Sequence, residues 1–539
     1  MTTHEVFNQT PPLPDHNLMA TDRPLCDALM ANGGDPGSLQ EFGERWGTAG
    51  RFDLGRLANE NPPVLQTHDA AGRRRDEVTF HPAYHALMSA SMADGLHAST
   101  WEPAGAGARH VERAARLFMI SGVEAGHVCP LTMTHASVAA LSAGPAHLAE
   151  WLPRIRGRAY DSRFIPFWDK SAVTLGMGMT EKQGGTDVRA NTTRAVKTSG
   201  DEYALTGHKW FLSAPMCDAF LVLAQAAGGL TCFLLPRFRP DGSLNTPYLQ
   251  RLKDKLGNRS NASAEVEFDK AFCWLIGEEG RGLATILKMV HLTRLDCAVA
   301  SAGLVRKGLV FAHHHARHRH VFGKILLDQP LMRSVLADLA LESEAMTALA
   351  VRLARSFDGA EGDAREAAFA RLVTPASKFG ICKRAPNLLY ELMECLGGNG
   401  YVEESPLPRL YREAPVNAIW EGSGNVIALD ILRMVARDRD AAGVIIEDLV
   451  TAAVDLPGVR ETGAAVRQAL AAPDAEARAR FIADRLYALA AAGALAASAP
   501  PEIATAWART RLVTPAGMMG SNPLGDSAKP LLERIFTAI

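Results

Sequence analysis

One internal stretch of this chain reads as β-structure, and helical spacing lies on both sides of it. In AFLVLAQAAGGLTCFLLPRF (219–238) two apolar runs flank a Gly-Gly pair, which predicts a β-hairpin. In SAEVEFD (263–269) apolar and acidic residues alternate, which predicts a strand whose buried face is formed by Ala264, Val266 and Phe268. Helices, then strands, then helices is the order expected of the α+β class.

Helical spacing resumes at Ile286. The residues of one predicted stripe are three or four positions apart, namely Ile286, Val290, Thr293, Cys297, Ala300, Leu304, Gly308 and Phe311. The chain therefore divides into four predicted segments. They are an N-terminal arm and helical domain (1–175), a middle β-domain (176–285), a C-terminal helical bundle (286–440) and an extra helical domain (441–539).

The composition is that of a globular enzyme, and it argues against several classes of protein. The chain has 539 residues, 47% hydrophobic and 22% charged, with a formal net charge of -2, so no overall charge attracts nucleic acid or membrane. Its eight cysteines form no C-x-x-C pair, which argues against a zinc ribbon or a disulfide framework. The N-terminus lacks the pattern of a signal peptide, and Leu486–Ala499 is too short and too Ala-rich to span a bilayer. We expect a cytoplasmic protein in which 486–499 is a buried helix.

Two glycine-rich segments allow close approach of the backbone to a ligand. GMGMTEKQGGTDVRA (176–190) opens the β-domain, and its small residues and free amides can meet carbonyl or phosphate oxygens. ECLGGNGYVEESPLPRLYRE (394–413) follows a helical segment, so its glycines do not match a Rossmann turn after a strand. Alone, the first segment is more typical of a generic polar loop than of a cofactor site.

The stretch AIWEGSGN (418–425) places Glu421 between a large aromatic residue and a run of small residues. One interpretation is a solvated acid that caps the following helix at its N-terminus. The other is a general base held over a substrate.

Together these segments resemble the acyl-CoA dehydrogenase family over residues 80–440. The two glycine-rich segments match the family's two signature patterns in order and spacing, and GHKWFLSA, RHVFGKILLDQ and IWEGSGN match three further family segments. The resemblance implies an N-terminal helical domain, a middle β-barrel domain and a C-terminal four-helix bundle, assembled as a homotetramer. It implies that FAD lies between the middle domain and the bundle.

The resemblance also implies which residues contact FAD. Those along the isoalloxazine would be Met177, Thr180 and Thr186, with Phe211 and Ser213 on its other side. Those at the adenine end would come from the next subunit, namely Arg319, Phe322, Gln329, Gly397 and Gly398. At the start of the last bundle helix, Ser423 and Asn425 would meet the cofactor where free N–H groups favour anions.

In the family, the residue at the position of Glu421 removes the α-proton of an acyl-CoA while a β-hydride goes to the flavin. A dry pocket closed by Trp420 would raise the pKa of Glu421 and strengthen it as a base. Some members carry the base in an E-R pair on a bundle helix. Here that pair is Thr293-Arg294, so no rival carboxylate exists there, and Asp296 is the nearest acid. Arg294 and Trp420 are expected to bind substrate.

Several strings resemble a branch of the family that belongs to the bacterial adaptive response to DNA alkylation. They are VFNQTPPL, MGMTEKQGG, KDKLGNRSNAS, IWEGSGN and the long C-terminal extension. This resemblance implies binding of double-stranded DNA without sequence preference through residues 441–539. That segment carries 9 Lys+Arg against 10 Asp+Glu, so the usual basic footprint is missing.

The candidate DNA contacts are arginines spaced for one helix face. They are Arg460 with Arg467, Arg478 with Arg485, and Arg433. The other arginines of the extension, except Arg534, are also suited to contact phosphate. The alternative is solvated helix faces with acidic partners four residues away.

Two further charged segments also have an interpretation that involves no ligand. In RLKDKLGNR, the residues Arg251, Lys253 and Lys255 point the same way on a strand, either as a guarded sheet edge or as a rim facing the phosphates of nucleic acid or CoA. HHHARHRH (313–320) lacks a carboxylate or cysteine at ligand spacing, so we expect no metal and a polar helix end instead.

Two functions stay open. The first is a flavoprotein that protects or repairs alkylated DNA, with weak dehydrogenase activity of the isovaleryl-CoA type. The second is a metabolic acyl-CoA dehydrogenase for a short or branched acyl-CoA, without a DNA role.

Overall fold

The computed structural model describes residues 3–102, 109–514 and 517–537. They form two compact units. The helical unit comprises Met1–Phe52, Ala106–Val123 and Arg294–Ile539, and the sheet unit comprises Asp53–Gly105 and Glu124–Thr293. The four segments expected along the sequence stay a prediction, because this division groups the bundle and the extension together.

Eleven strands are described. They are β1 (Val64–His68), β2 (Arg74–Thr79), β3 (Leu175–Gly178), β4 (Arg194–Ser199), β5 (Glu202–Ser213), β6 (Ala219–Ala226), β7 (Gly229–Pro236), β8 (Pro247–Leu252), β9 (Ser263–Ile276), β10 (His320–Val321) and β11 (Lys324–Ile325). In the sheet unit, seven of them form one sheet in the order β3-β5-β4-β6-β7-β9-β8. Additional pairings of β3 with β6 and of β5 with β9 fold this sheet back on itself, as a barrel-like middle domain requires.

The sheet contains both strand patterns that the sequence predicts. β6 and β7 are antiparallel with Ala226 opposite Gly229, which is the predicted hairpin. Ala264, Val266 and Phe268 on β9 are buried. Glu265, on the other face of β9, is buried as well and forms ion pairs with Arg251 and Lys253.

The basic segment begins on β8, an edge strand that ends at Leu252, so Lys253 and Lys255 lie beyond it and the three residues do not share one strand face as predicted. Arg251 and Lys253 reach the same oxygen of Glu265, at 2.7 and 2.6 Å, and Lys255 donates to the carbonyl of Asn261. The charges of the first two are therefore largely neutralised. This favours a sheet edge whose charges protect it from aggregation over a rim that faces phosphates.

Eighteen α-helices are described. They are α1 (Arg23–Ala31), α2 (Gln40–Trp46), α3 (Ala49–Glu60), α4 (Pro82–Ala93), α5 (Arg109–Ser121), α6 (Val128–Leu141), α7 (Trp151–Ile155), α8 (Gly282–His318), α9 (Pro330–Gly359), α10 (Ala364–Glu394), α11 (Gly398–Tyr401), α12 (Leu407–Asn417), α13 (Gly424–Arg437), α14 (Arg439–Thr451), α15 (Val459–Ala471), α16 (Ala479–Ser498), α17 (Pro501–Trp507) and α18 (Ala528–Glu533). The stripe predicted from Ile286 onward lies on α8, and all of it is buried except the half-buried Phe311.

The C-terminal extension is built into the helical bundle. Its helix α16 packs against α9, α10 and α13. The approach of α10 to α16 is so close that a side chain at Gly380 would collide with the ring of Tyr487. Among the described helices, α16 alone is long and apolar enough to cross a membrane, yet 61% of that stretch is buried inside the protein, as expected for a core helix.

A buried ion-pair network ties the end of the extension to α9. Arg511 is 4% exposed and donates to Asp338 and Glu342, both at 2.5 Å. The expectation that Arg511 could contact DNA is therefore wrong, because the sequence shows a charge without showing that it is buried.

The N-terminal arm covers the histidine-rich end of α8. Thr10 shares a hydrogen bond of 2.8 Å with His315, and His314 contacts the carbonyl of Pro11 at 2.8 Å. Asn8 bonds both backbone groups of His320. These histidines thus serve as a polar helix end that anchors the arm.

Candidate active site

The loop between α12 and α13 adopts an unusual backbone. Glu421 has φ of +58° and Gly422 has φ of +103°. A left-handed conformation costs a residue other than glycine about 1–2 kcal/mol, and it persists only where the surroundings enforce it. Such strain at Glu421, followed directly by a second left-handed residue, marks the loop as a candidate functional site.

Two buried cations enforce this backbone, and we call them the carbonyl clamp. Lys378 on α10 is 2% exposed, and its Nζ donates to the carbonyls of Trp420 and Gly422, both at 2.6 Å. Arg294 on α8 is 9% exposed, and its Nε donates to the carbonyl of Glu421 at 2.9 Å. Three consecutive carbonyls are therefore held by charged donors from two different helices.

The clamp extends into α13 and orients the neighbouring tryptophan. The other end of the Arg294 guanidinium pairs with Asp430 on α13 at 2.8 Å. The indole N–H of Trp420 donates to Asn417 at 3.0 Å, and Asn417 donates to Ser301 on α8 at 3.0 Å. Each flank of Glu421 is thus fixed to a helix of the same unit.

The side chain of Glu421 is half-buried, and a neutral thiol lies close to it. Burial raises the pKa of Cys297 well above its ordinary value, and the charge of Glu421 contributes to that rise, although Lys378 opposes it. The N-cap of α13 is Ser423, so Glu421 does not occupy the capping position of the alternative interpretation. This arrangement favours the general base.

The nearest alternative acid is committed elsewhere. Asp296 accepts two hydrogen bonds from Arg113 at 2.7 and 2.8 Å, and both side chains are buried. Such a two-point contact with a guanidinium is typical of a structural partner. It therefore does not compete with Glu421.

Arg294 was expected to contact substrate. Its guanidinium instead binds the Glu421 carbonyl and Asp430, so the contact that the structure shows is with the loop that carries the acid. The sequence could not reveal this role, nor that of Lys378, because both depend on backbone oxygens distant in sequence. A substrate contact of Arg294 stays a prediction.

The residues predicted to face the isoalloxazine gather in the sheet unit. Met177 on β3 lies opposite Ser213 on β5, and the carbonyl of Thr180 accepts the N–H of Trp210 at 2.8 Å. A side chain at Gly176 would collide with the Ser213 carbonyl, which explains the glycine there.

Phe211 and Thr186 are exposed in the same unit. Phe211 and Ser213 are two positions apart on β5 and so share one face of that strand, whereas Met177 is buried.

A buried ion pair that the sequence reading missed fixes this glycine-rich loop. Glu181 and Lys209 meet at 2.8 Å with both side chains fully buried, and Glu181 also accepts the N–H groups of Thr192 and Thr193. Burial alone would raise the pKa of Glu181, but hydrogen bonds from Lys209 and Thr193 hold it well below its usual range. Burial lowers the pKa of Lys209 to about 8, although Glu181 opposes the shift. Glu181, the acid in the sequence GMTE (178–181), therefore holds the glycine-rich loop in place.

The residues predicted for the adenine end come together in the helical unit. Arg319, Gly397 and Gly398 line one cavity of about 270 Å³. A Cβ at either glycine would have no atom within 4 Å, so both leave open space there. Arg319 also donates to the carbonyl of Asn8 at 2.5 Å.

A small hairpin stands beside this cavity. Gln329 braces it by donating to the carbonyl of Val321 at 2.9 Å. Phe322, at the hairpin tip, is 95% exposed. The predicted contact of Phe322 with the cofactor of another subunit stays a prediction.

The arginines predicted for DNA contact differ in their surroundings. Arg460 is exposed, while the others have acidic partners: Arg433 with Asp430, Arg467 with Glu447, Arg478 with Asp474 and Arg485 with Asp484. Arg485 is half-buried and also donates to the carbonyl of Arg511 at 2.8 Å. This placement does not support the expectation that Arg485 and Arg478 lie together on one exposed helix stripe.

Three parts of the chain match known domains. Residues 8–162 match the Adaptive response protein AidB N-terminal domain, residues 176–271 the Acyl-CoA dehydrogenase middle domain, and residues 280–436 the Acyl-CoA dehydrogenase C-terminal domain. Over 524 residues the chain is 49% identical to the acyl-CoA dehydrogenase homologue AidB of Escherichia coli (strain K12), with 96% of each chain covered. The chain belongs to the acyl-CoA dehydrogenase family.

Solved structures agree with this assignment. Caenorhabditis elegans ACDH-11 in complex with C11-CoA has a TM-score of 0.83 at 29% identity, covering 99% of this chain and 93% of that one. The apo-form of Bd2924 has a TM-score of 0.84 at 29% identity, covering 92% and 100%. The predicted fold of an acyl-CoA dehydrogenase is confirmed.

The cofactor of this acyl-CoA dehydrogenase family member is FAD, and the residues present fit it. The hydroxyl groups of Thr180 and Ser213 suit a flat, polar-edged ring, and Ser213 lies opposite Met177. In the helical unit, the open space at Gly397 and Gly398 beside Arg319 suits the adenine end of an FAD molecule. These residues would hold FAD through hydrogen bonds, close backbone approach and one cation.

Replacing Lys378 by Met is expected to lower the free energy of unfolding by about 2–5 kcal/mol, because two buried carbonyls lose their charged donor. Urea denaturation measures the change. Lys288→Met, at an exposed position of α8, is the matched control and is expected to stay within about 0.5 kcal/mol of the parent protein. Equal denaturation midpoints for the two variants would contradict the clamp.

Proposed function

We propose that this FAD-dependent oxidoreductase removes hydrogens from the CH–CH bond of acyl-CoA thioesters, with Glu421 as the base, and that it serves in the response to DNA alkylation. The observation that carries the catalytic part is the left-handed Glu421 held by the carbonyl clamp. Strain that buried charged donors maintain at one acid is typical of a catalytic position. The substrate class is supported by ACDH-11, which was solved with C11-CoA.

Glu421 performs the proton transfer. The thioester carbonyl acidifies the α-carbon, so a carboxylate at hydrogen-bonding distance can take the α-proton onto one of its oxygens. The clamp fixes the backbone on both sides of Glu421, so little reorganisation is needed at the moment of transfer. When bound, FAD supplies the acceptor for the β-hydride. After the step, Glu421 is a neutral acid. The nearby thiol of Cys297 is also neutral, so it places no second negative charge beside the acid.

The DNA part of the proposal is supported by similarity over nearly the full chain. The relative AidB shares 49% identity, and the matching N-terminal domain is described as that of an adaptive response protein. Arg460 and Arg467 on α15 are both exposed and seven positions apart, so they lie on one face. Phosphates would replace Glu447 as the partner of Arg467.

We also propose that the working form is a cytoplasmic homotetramer. A large aromatic side chain at a hairpin tip is rarely left in water, and Phe322 is almost fully exposed on the described chain. A neighbouring subunit would cover it.

A metabolic acyl-CoA dehydrogenase without a DNA role is the second candidate. It is favoured by the acidic partners of Arg433, Arg467, Arg478 and Arg485, which leave a weak basic surface. The two functions share the same catalytic loop, and they differ only in whether the extension binds phosphate.

Glu421→Gln is expected to slow flavin reduction by isovaleryl-CoA about 10²–10⁴-fold, because the amide cannot accept the α-proton. Anaerobic bleaching of the flavin absorbance measures the rate. Glu404→Gln, at an exposed position, is the matched control and is expected to reduce at the rate of the parent protein. Equal rates in both variants would contradict the role of Glu421, and a parent protein that no acyl-CoA reduces would contradict the dehydrogenase.

Binding to duplex DNA is expected to be equal for unrelated sequences and to fall steeply with salt, because phosphates are the ligands. Arg460→Glu with Arg467→Glu is expected to weaken it at least about tenfold and to lower the salt slope. Fluorescence anisotropy measures both quantities.

The matched control is Arg73→Glu with Arg163→Glu, which makes the same charge change at exposed positions of the sheet unit. Equal losses in the two double variants would refute this surface. Absence of binding by the parent protein at low salt would favour the metabolic enzyme.

A further inference from the structure

A buried arginine in the sheet unit has one nitrogen without a partner. Arg237, which directly follows β7, is 7% exposed; its Nε donates to the carbonyl of Cys217 at 3.0 Å, and its Nη2 donates to that of Pro215. Among the residues that the structure describes, Nη1 has no acceptor and the guanidinium forms no salt bridge with a carboxylate. Burial lowers the pKa of Arg237, although the charge of Asp218 opposes the shift. The hydrogen-bonding capacity of this buried cation is therefore only partly used.

Arg237 borders a cavity of about 220 Å³ whose other walls are largely apolar. Two phenyl rings flank its guanidinium, with ring centres at 5.0 Å for Phe164 and 5.8 Å for Phe220, and both rings also line the cavity. Leu212 and Leu244 add aliphatic surface, and Leu244 is 36% exposed, so the cavity can be reached from solvent. The cavity thus joins a cation that lacks one acceptor to an apolar and aromatic surface.

The charged residues that line the cavity favour an anion. They are Arg74, Arg75 and Arg237 against the single acid Asp76. One oxygen of Asp76 pairs with Arg74 at 2.8 Å, and the other is enclosed by the protein and so does not contact the cavity. Arg75 pairs with Glu77 at 2.5 Å. Arg237 is therefore the cation that is left for a ligand.

The cavity lies on the opposite face of β5 from the predicted flavin contacts. Leu212 lines it, whereas Phe211 and Ser213, the residues before and after Leu212, share the other face of the strand. The carbonyls that Arg237 holds belong to the turn that follows Ser213. A ligand in this cavity would therefore occupy a site separate from that of the flavin ring.

We propose that this cavity binds a small organic acid, whose carboxylate accepts a hydrogen bond from Nη1 of Arg237 and whose apolar body lies against Phe164 and Phe220. The cavity is smaller than the roughly 300–1,000 Å³ of sites for drug-sized ligands, so neither a nucleotide nor a CoA thioester fits inside it. A bare phosphate would leave the apolar walls in contact with water. The inference is independent of Glu421, of FAD and of DNA binding.

The probe for the test is para-fluorobenzoate, which carries a carboxylate on an aromatic ring. Fluorine NMR of the probe, titrated with the FAD-loaded protein, reports the dissociation constant through line broadening. We expect the parent protein to bind the probe and isovalerate, a second small carboxylate, to displace it. The compound para-fluorobenzylamine has a similar body with a positive charge and is expected not to bind. Inorganic phosphate is expected not to displace the probe.

Two variants locate the site. Arg237→Gln is expected to raise the dissociation constant of the probe at least about tenfold, because a charged hydrogen bond is lost. This change also removes donors to the turn after β5, so the second variant keeps the arginine. Leu244→Trp fills the cavity with an indole ring and is expected to abolish probe binding while the urea midpoint stays unchanged. The matched controls are Arg194→Gln and Val196→Trp, at exposed positions of β4, and both are expected to bind like the parent protein.

Absence of probe binding by the parent protein would overturn the inference, and so would equal affinity in Arg237→Gln. Unchanged binding by Leu244→Trp would place the probe outside this cavity, and displacement by acetyl-CoA would place it in the active site; either result refutes the proposal. Displacement by phosphate at a lower concentration than isovalerate would contradict an organic acid as the ligand. A parent protein that holds no FAD would refute the proposed function alone, because the probe can still be titrated.

Discussion

The structure depends most on the contact of two buried cations with three consecutive carbonyls. An ammonium group inside a protein is costly unless strong acceptors surround it, and backbone oxygens provide that solvation without adding a second charge. Lys378 and Arg294 obtain it only if the chain turns so that residues 420–422 present their carbonyls together. The positive φ of Glu421 follows from that requirement, and it sets where the acid can act.

The bundle supplies the rigidity that such a clamp needs. Arg294 and Lys378 stand on the long helices α8 and α10, and α16 of the extension packs directly on α10 at Gly380. The buried network of Arg511 with Asp338 and Glu342 fastens the end of the extension to α9. The extension is therefore part of the scaffold behind the active-site loop, whatever it binds on its outer surface.

Much of the fold could be predicted from periodicity, because the β6–β7 hairpin and the α8 stripe each bury one regular face. Glu421 could be found from its motif. The clamp could not, since its acceptors are backbone oxygens that have no sequence signature. A buried charge caused one error: Arg511 was expected to suit phosphate contacts, and only the tertiary structure shows that it is paired inside the protein.

The most direct test of the account is hydrogen exchange on acetyl-CoA, which has α-hydrogens but no β-carbon, so that only proton transfer can occur. Proton NMR in D₂O follows loss of the methyl signal in the presence of the FAD-loaded protein. The account predicts catalysed exchange by the parent protein, slower exchange by Lys378→Met because the loop is released, and none above background by Glu421→Gln. Exchange that persists at the parent rate in Glu421→Gln would contradict it.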